Sequence, residues 1–90
     1  MRVESVEIYS DTTNAAVLRH PGRRFPGVLV QGDNLHGLCV ALDEICSNLR
    51  LQIDAETYRR VDDVRNSMQS YLTHYKAVMQ QHSLPLPFSE

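Results

Sequence analysis

The segment Phe25–Leu35, which reads FPGVLVQGDNL, decides where the sheet of this 90-residue chain ends and its helices begin. Its short apolar run, Val28–Val30, lies between two glycines and has the β-branched content that is typical of a strand. Gly32 then allows a tight turn, and Asp33 has a side chain that commonly caps the N-terminus of a helix. The segment therefore predicts a strand that is followed directly by a helix.

Two segments upstream of this strand also have the composition of strands. In Val3–Tyr9, Val6 and Ile8 alternate with polar residues, and Ala15–Leu18 forms a second apolar run. The connections are short and contain no crossover helix, which excludes a parallel pairing. We therefore predict an α+β fold that opens with a three-stranded antiparallel sheet within residues 2–31.

The period of the apolar residues changes after Asp33, because they now recur at alternating steps of three and four. This spacing predicts two amphipathic helices, over residues 33–51 and 55–81, which a short link joins into an antiparallel αα-hairpin. Asp54 is the predicted N-cap of the second helix. An extended apolar tail follows over residues 83–90, and the length of the chain predicts a single domain over residues 1–90.

The composition and charge of the chain argue against nucleic-acid-binding, membrane and secreted proteins. The net charge of -2 and the pI near 6.0 argue against binding of phosphate backbones through an overall basic field. No apolar run approaches the roughly 18 residues of a membrane span, and the opening MRVESVEIYS is too polar for a secretory signal. Cys39 and Cys46 would lie about 10 Å apart along a helix, too far for a disulfide. We expect a cytoplasmic protein with reduced thiols and no contact with a membrane.

The sequence contains no metal-binding or cofactor-binding motif. One cluster of residues could nevertheless form a catalytic or ligand-binding site. Asp33, His36 and Cys39 recur every third residue, so one helical turn could gather a carboxylate, an imidazole and a thiol. This cluster would suit a small enzyme or a ligand-binding domain if the thiol were accessible. In the other interpretation, which we favour, Cys39 is a small core residue and His36 lies on the surface.

The most distinctive surface feature is a basic turn with the residues Arg19, His20, Arg23, Arg24 and Phe25. Cationic side chains beside an aromatic ring, on a turn that contains Pro21 and Gly22, can bind an acidic protein surface or a phosphate. The alternative is a solvated hairpin tip. We predict a partner-binding site here, and nucleic-acid binding through the arginines remains the less favoured interpretation.

The two predicted helices differ in length, about 40 Å for the second against about 25 Å for the first. An antiparallel hairpin therefore leaves one end of the second helix without a cover from the first. Either the apolar tail folds back over this end, or the end forms a groove for the partner, or two copies pack there as a homodimer, which we favour. The predicted self-association residues are Tyr71, Leu72, Tyr75, Val78 and Met79.

The segment FPGVLVQGDNLHGLCVALDEIC resembles HicB-type antitoxins, in which a Pro-Gly precedes a short strand that leads through Gln-Gly-Asp into a helix. The matching positions here are Pro26, Gly27, Gln31, Gly32, Asp33 and Leu35. The segment VEIYSDTTNAAVLRHPGRRFPGV is also similar to a small uncharacterised bacterial domain of unknown function. The first resemblance implies a module that neutralises a toxin by occlusion. We accordingly expect a non-enzymatic protein-binding module, an immunity or antitoxin-like protein whose partner is a toxin.

Overall fold

The computed structural model describes residues 1–90 and shows three strands followed by two helices. The elements are β1 (Glu7–Ser10), β2 (Ala16–Arg19), β3 (Gly27–Leu29), α1 (Gly32–Leu49) and α2 (Ala55–Gln81). The strands form one antiparallel sheet in the order β1-β2-β3, so the predicted α+β class is confirmed. The chain divides into two compact units, residues 1–31 and residues 32–90. The single domain stays a prediction.

The sheet is short because β2 offers only four residues to each neighbour. Its last residue, Arg19, pairs with Glu7, and the chain then turns away through Pro21-Gly22. Residues before Glu7 have no strand to pair with, so the prediction that the first strand begins at Val3 is wrong. On the other side of β2, Val17 pairs with Val28, which makes β1 and β3 the two edges of the sheet.

The first helix begins one residue earlier and ends two residues earlier than predicted. Gly32 belongs to its first turn and is buried, while the Asp33 carboxylate accepts a hydrogen bond from the neighbouring Asn34 N–H at 2.9 Å. The prediction that Asp33 is the N-cap is therefore wrong. At the other end, the Gln52 N–H donates to the Leu49 carbonyl at 2.9 Å, and this turn closes the helix before Leu51.

The second helix has the predicted bounds, and its predicted cap is confirmed. The Asp54 carboxylate accepts from the Thr57 N–H and from the Thr57 hydroxyl, both at 2.8 Å. At the C-terminus, Ser83 adopts the left-handed conformation with φ 55°. Its N–H donates to the Gln80 carbonyl at 3.1 Å, and the Leu84 N–H donates to the Met79 carbonyl at 2.9 Å. This hydrogen-bond pattern is a Schellman motif, which reverses the chain direction.

We call residues 32–90 the helical unit, and its core lies between α1 and α2. Leu35, Cys39 and Leu72 form a buried cluster, and Cys46 is buried as well. Both cysteines are free thiols, as predicted. Neither helix combines the length with the apolar character that a membrane-spanning helix needs.

The tail folds back against the helical unit. The Phe88 ring stacks on His36, with centroids 4.2 Å apart and planes 4° from parallel, and it also lies near Tyr75. The Glu90 carboxylate forms an ion pair with Lys76. The tail thus folds back over part of the long end of α2, as in the alternative in which the chain covers this end itself, while Tyr71 remains 62% exposed. The reason is the Schellman motif, which directs the tail back along the helix.

Candidate functional site

The turn between β2 and β3 is held by backbone and side-chain hydrogen bonds. The Arg23 N–H donates to the His20 carbonyl at 2.9 Å, and the Gly22 N–H donates to His20 Nδ1 at 2.9 Å. His20 therefore serves the conformation of the turn. A Cβ at Gly22 would lie 3.2 Å from His20 Nδ1, which favours glycine at this position.

Arg19 is committed to the sheet. Its guanidinium forms an ion pair with Glu7, the residue opposite it on β1, and its Nη1 donates to the Arg23 carbonyl at 3.1 Å. The hydrogen bond and charge of the Glu7 carboxylate raise the pKa of Arg19. Among the predicted partner-binding residues, Arg19 thus fixes the base of the turn and offers little free charge to a partner.

Arg23, Arg24 and Phe25 are exposed, like the other residues of the turn from His20 onward. Neither of these two guanidinium groups takes part in an ion pair. The Arg24 guanidinium carbon lies 5.3 Å from the centroid of the Phe25 ring, a distance that suits a cation–π contact. The Phe25 side chain is 71% exposed. The turn therefore presents two free cations and one accessible aromatic ring.

A shallow groove of about 170 Å³ connects this turn to the edge strand. Its lining residues are Leu18, His20, Arg23, Phe25, Gly27, Val28 and Leu29. Val28 and Leu29 are 63% and 54% exposed, and β3 pairs on one side only, with β2. The groove is apolar along the strand and basic at the turn. Such a surface can accept an extended peptide that carries apolar and acidic side chains.

Comparison with known proteins gives one result. A family model described as "Family of unknown function (DUF6959)" matches residues 1–88. The chain belongs to this family. The match bears out the predicted resemblance to a small domain of unknown function, while the resemblance to HicB-type antitoxins stays a prediction. Neither the curated proteins nor the solved structures gave a match.

The structure does not bring Asp33, His36 and Cys39 together as a reactive group. The Asp33 carboxylate accepts from the backbone of Asn34, and the His36 ring stacks on Phe88. The Cys39 side chain is 1% exposed, and burial is the main cause that raises the pKa of its thiol. A nucleophilic cysteine requires the opposite arrangement, an accessible sulfur with a lowered pKa.

The predicted self-association residues have different surroundings. Leu72 is buried in the core between α1 and α2, and Tyr75 packs against that core and against Gly32. Val78 and Met79 are half-buried, whereas Tyr71 is 62% exposed. Leu72 is therefore a core residue, and Tyr71 is the member of this set that is most accessible to a second molecule.

The groove residues Val28 and Leu29 were not predicted to bind a partner, although their segment was predicted as a strand. An apolar strand with only one neighbouring strand has a free edge, where its side chains and backbone are open to a partner. The apolar run Val28–Val30 is therefore a sequence signal for partner binding. Recognising that signal requires the strand order, which places β2 in the centre of the sheet.

Proposed function

We propose that the chain is a non-enzymatic protein-binding module whose partner binds along β3 and the turn that precedes it. The observation that carries this proposal is the apolar groove along the edge strand β3, with the unpaired Arg23 guanidinium at one end and the exposed Arg24 next to it in the turn. Strand edges have unpaired backbone N–H and C=O groups, and an extended segment of a partner can satisfy them by adding a strand.

The chemistry of the surface defines the partner segment. Apolar side chains of the partner would lie against Val28, Leu29 and Phe25, and carboxylates would pair with Arg23 in the groove or with Arg24 beside it in the turn. Arginine binds carboxylates through two parallel hydrogen bonds, so an acidic residue at this end fixes the register of the added strand. The partner segment is therefore extended, apolar and acidic.

Within this class, we favour an immunity or antitoxin-like protein that blocks a toxin by occlusion. The support is the resemblance of residues 25–46 to HicB-type antitoxins, which act by binding. A small chain that covers the working surface of a toxin needs a stable contact surface and no reactive groups. The buried Cys39 thiol, with its raised pKa, agrees with this role better than with a small enzyme.

Nucleic-acid binding is less well supported. The ion pair with Glu7 engages Arg19, which leaves two free arginines on the turn. Neutralising only a few phosphates gives weak binding, and the net charge of -2 opposes it further.

The test uses the product of the gene next to this one as the candidate toxin. We expect co-expression to restore growth of cells that make this product, and the purified proteins to bind each other in calorimetry. The double variant Arg23→Glu/Arg24→Glu should weaken binding by about tenfold or more, because like charges now face the acidic segment. Phe25→Ser should weaken binding too, with no loss of folding since the ring is exposed.

The matched control is Arg50→Glu/Arg59→Glu, which changes the net charge by the same amount at two exposed positions of the helical unit. It should bind like the wild type. Equal weakening by both double variants would show that net charge, and not this surface, controls binding. Binding to DNA or RNA that falls steeply with salt, without binding to the protein, would overturn the proposal.

A further inference from the structure

The helical hairpin has a charged side and an uncharged side. On the charged side, Arg65 Nε lies 3.5 Å from Asp43 and its Nη1 lies 3.7 Å from Asp62, so one arginine bridges α1 and α2. The Gln69 amide donates to Asp43 at 3.1 Å on the same side. The carboxylates of this side are therefore engaged within the chain, while the buried Arg65 Nε has no hydrogen-bond partner.

The opposite side presents large apolar side chains. Leu38 and Ile45 lie seven residues apart on α1 and are 48% and 45% exposed; Val64 and Tyr71 have the same spacing on α2 and are 55% and 62% exposed. Residues seven apart share one face of a helix, because two turns separate them. We name these four residues the apolar side of the hairpin.

The apolar side is free of charge over most of its length. At 100° per residue, the neighbouring positions on this side are Asn34, Ala41, Asn48, Ser67 and His74. Arg60 shares this face one turn before Val64, near the start of α2, and pairs with Glu56. The centre of a protein interface differs from the remaining surface because it has few charged side chains and keeps aromatic and aliphatic ones.

This lack of charge favours a second copy of the chain as the occupant. In a two-fold contact the same patch meets itself, so a charged residue near the axis would face its own like charge. The stretch of this side from Leu38 to Ile45 and from Val64 to Tyr71 has no such residue, and the chain's net charge of -2 adds little repulsion. Two antiparallel hairpins that pack side by side form a four-helix bundle, in which helices cross at about 20°.

We propose that two copies of this chain associate through the apolar side of the hairpin, with Leu38, Ile45, Val64 and Tyr71 at the contact. The proposal goes beyond partner binding by the sheet, since it uses a different surface and a different occupant. Of the residues that the sequence predicted for self-association, Tyr71 belongs to this contact, while Leu72 and Tyr75 support the core.

Light scattering coupled to gel filtration, over a series of micromolar concentrations, tests the proposal. We expect the wild type to approach twice the chain mass of 10.3 kDa. Tyr71→Glu and Ile45→Glu should each raise the dissociation constant of the dimer by about tenfold or more, because a charge enters an apolar contact. Circular dichroism should show that both variants keep their helix content.

The matched control is Ala77→Glu, which adds the same charge to α2 at an exposed position on the other side of the helix. It should leave the dimer intact. A wild-type chain that stays at 10.3 kDa at every concentration would overturn the proposal. A dimer that Tyr71→Glu and Ile45→Glu do not weaken would overturn it as well, since a different surface would then hold the copies together.

Discussion

Gly32 lies in the first turn of α1, in a buried position against Tyr75. A Cβ at this residue would fall within the Tyr75 ring, so the absence of a side chain lets α2 approach the start of α1. Gly32 thus has a packing role between the two helices. Its φ is not positive, so no left-handed conformation requires glycine here.

We expect Gly32→Ala to lower the free energy of unfolding by about 1–3 kcal/mol, because the tyrosine must move to admit the methyl group. Gly37→Ala is the matched control on the same helix, where a Cβ would meet no atom within 4 Å. Alanine should stabilise the chain there by about 0.5–1 kcal/mol, since it favours the helix over the unfolded chain. Urea unfolding measures both changes. Equal effects of the two substitutions would contradict the close packing at Gly32.

At the scale of the element, the start of α2 depends on one carboxylate. The Asp54 side chain accepts two hydrogen bonds from Thr57, and these bonds lower the pKa of Asp54. The unfolded chain therefore binds this proton at a higher pH than the folded chain does. The stabilisation is present above the ordinary aspartate pKa of about 4 and is lost as the pH falls through the lower folded value.

Asp54→Asn keeps a side-chain oxygen that can cap the helix, but it removes the titration. We expect the wild type to lose more stability than Asp54→Asn when the pH is lowered below about 4. Asp54→Ala should lower the thermal midpoint at neutral pH as well, since it removes the cap. Thermal unfolding followed by circular dichroism gives the three pH profiles. Parallel profiles for the wild type and Asp54→Asn would refute the role of the Asp54 charge.

The elements differ in how far the sequence predicts them. The bounds of α2 follow from local signals, because an apolar period of three and four begins after a capping aspartate. The first strand depends on the length of its partner, so its start at Glu7 cannot be derived from Val3–Tyr9 alone. The ion pair of Arg19 depends on the register of β1 and β2. The stacking of Phe88 on His36 joins distant segments, which no local period encodes.

At the scale of the whole molecule, the buried side chains are confined to one of the two compact units. Leu35, Cys39, Cys46 and Leu72 all belong to residues 32–90, whereas the strands of residues 1–31 contain no buried residue. A sheet of three short strands with no buried side chain has little hydrophobic stabilisation of its own. The buried side chains are concentrated in the helical unit. The rates at which the two thiols react therefore measure how readily this unit opens.

We expect both thiols to react with a disulfide reagent far more slowly in the native chain than in urea, and at rates that rise together with unfolding. Each sulfur is buried, and burial also raises the pKa of the Cys39 thiol, which disfavours its reactive thiolate. The raised pKa of Cys39 also makes the stability of the chain depend on pH. The unfolded chain loses the Cys39 proton at a lower pH than the folded chain does, so stability falls as the pH rises above the ordinary thiol pKa of about 8.5. Single variants Cys39→Ala and Cys46→Ala assign the two rates. If Cys39 reacted fast at neutral pH while Cys46 stayed protected, the thiol would be accessible and activated, and the enzyme interpretation of Asp33, His36 and Cys39 would have to replace the binding module.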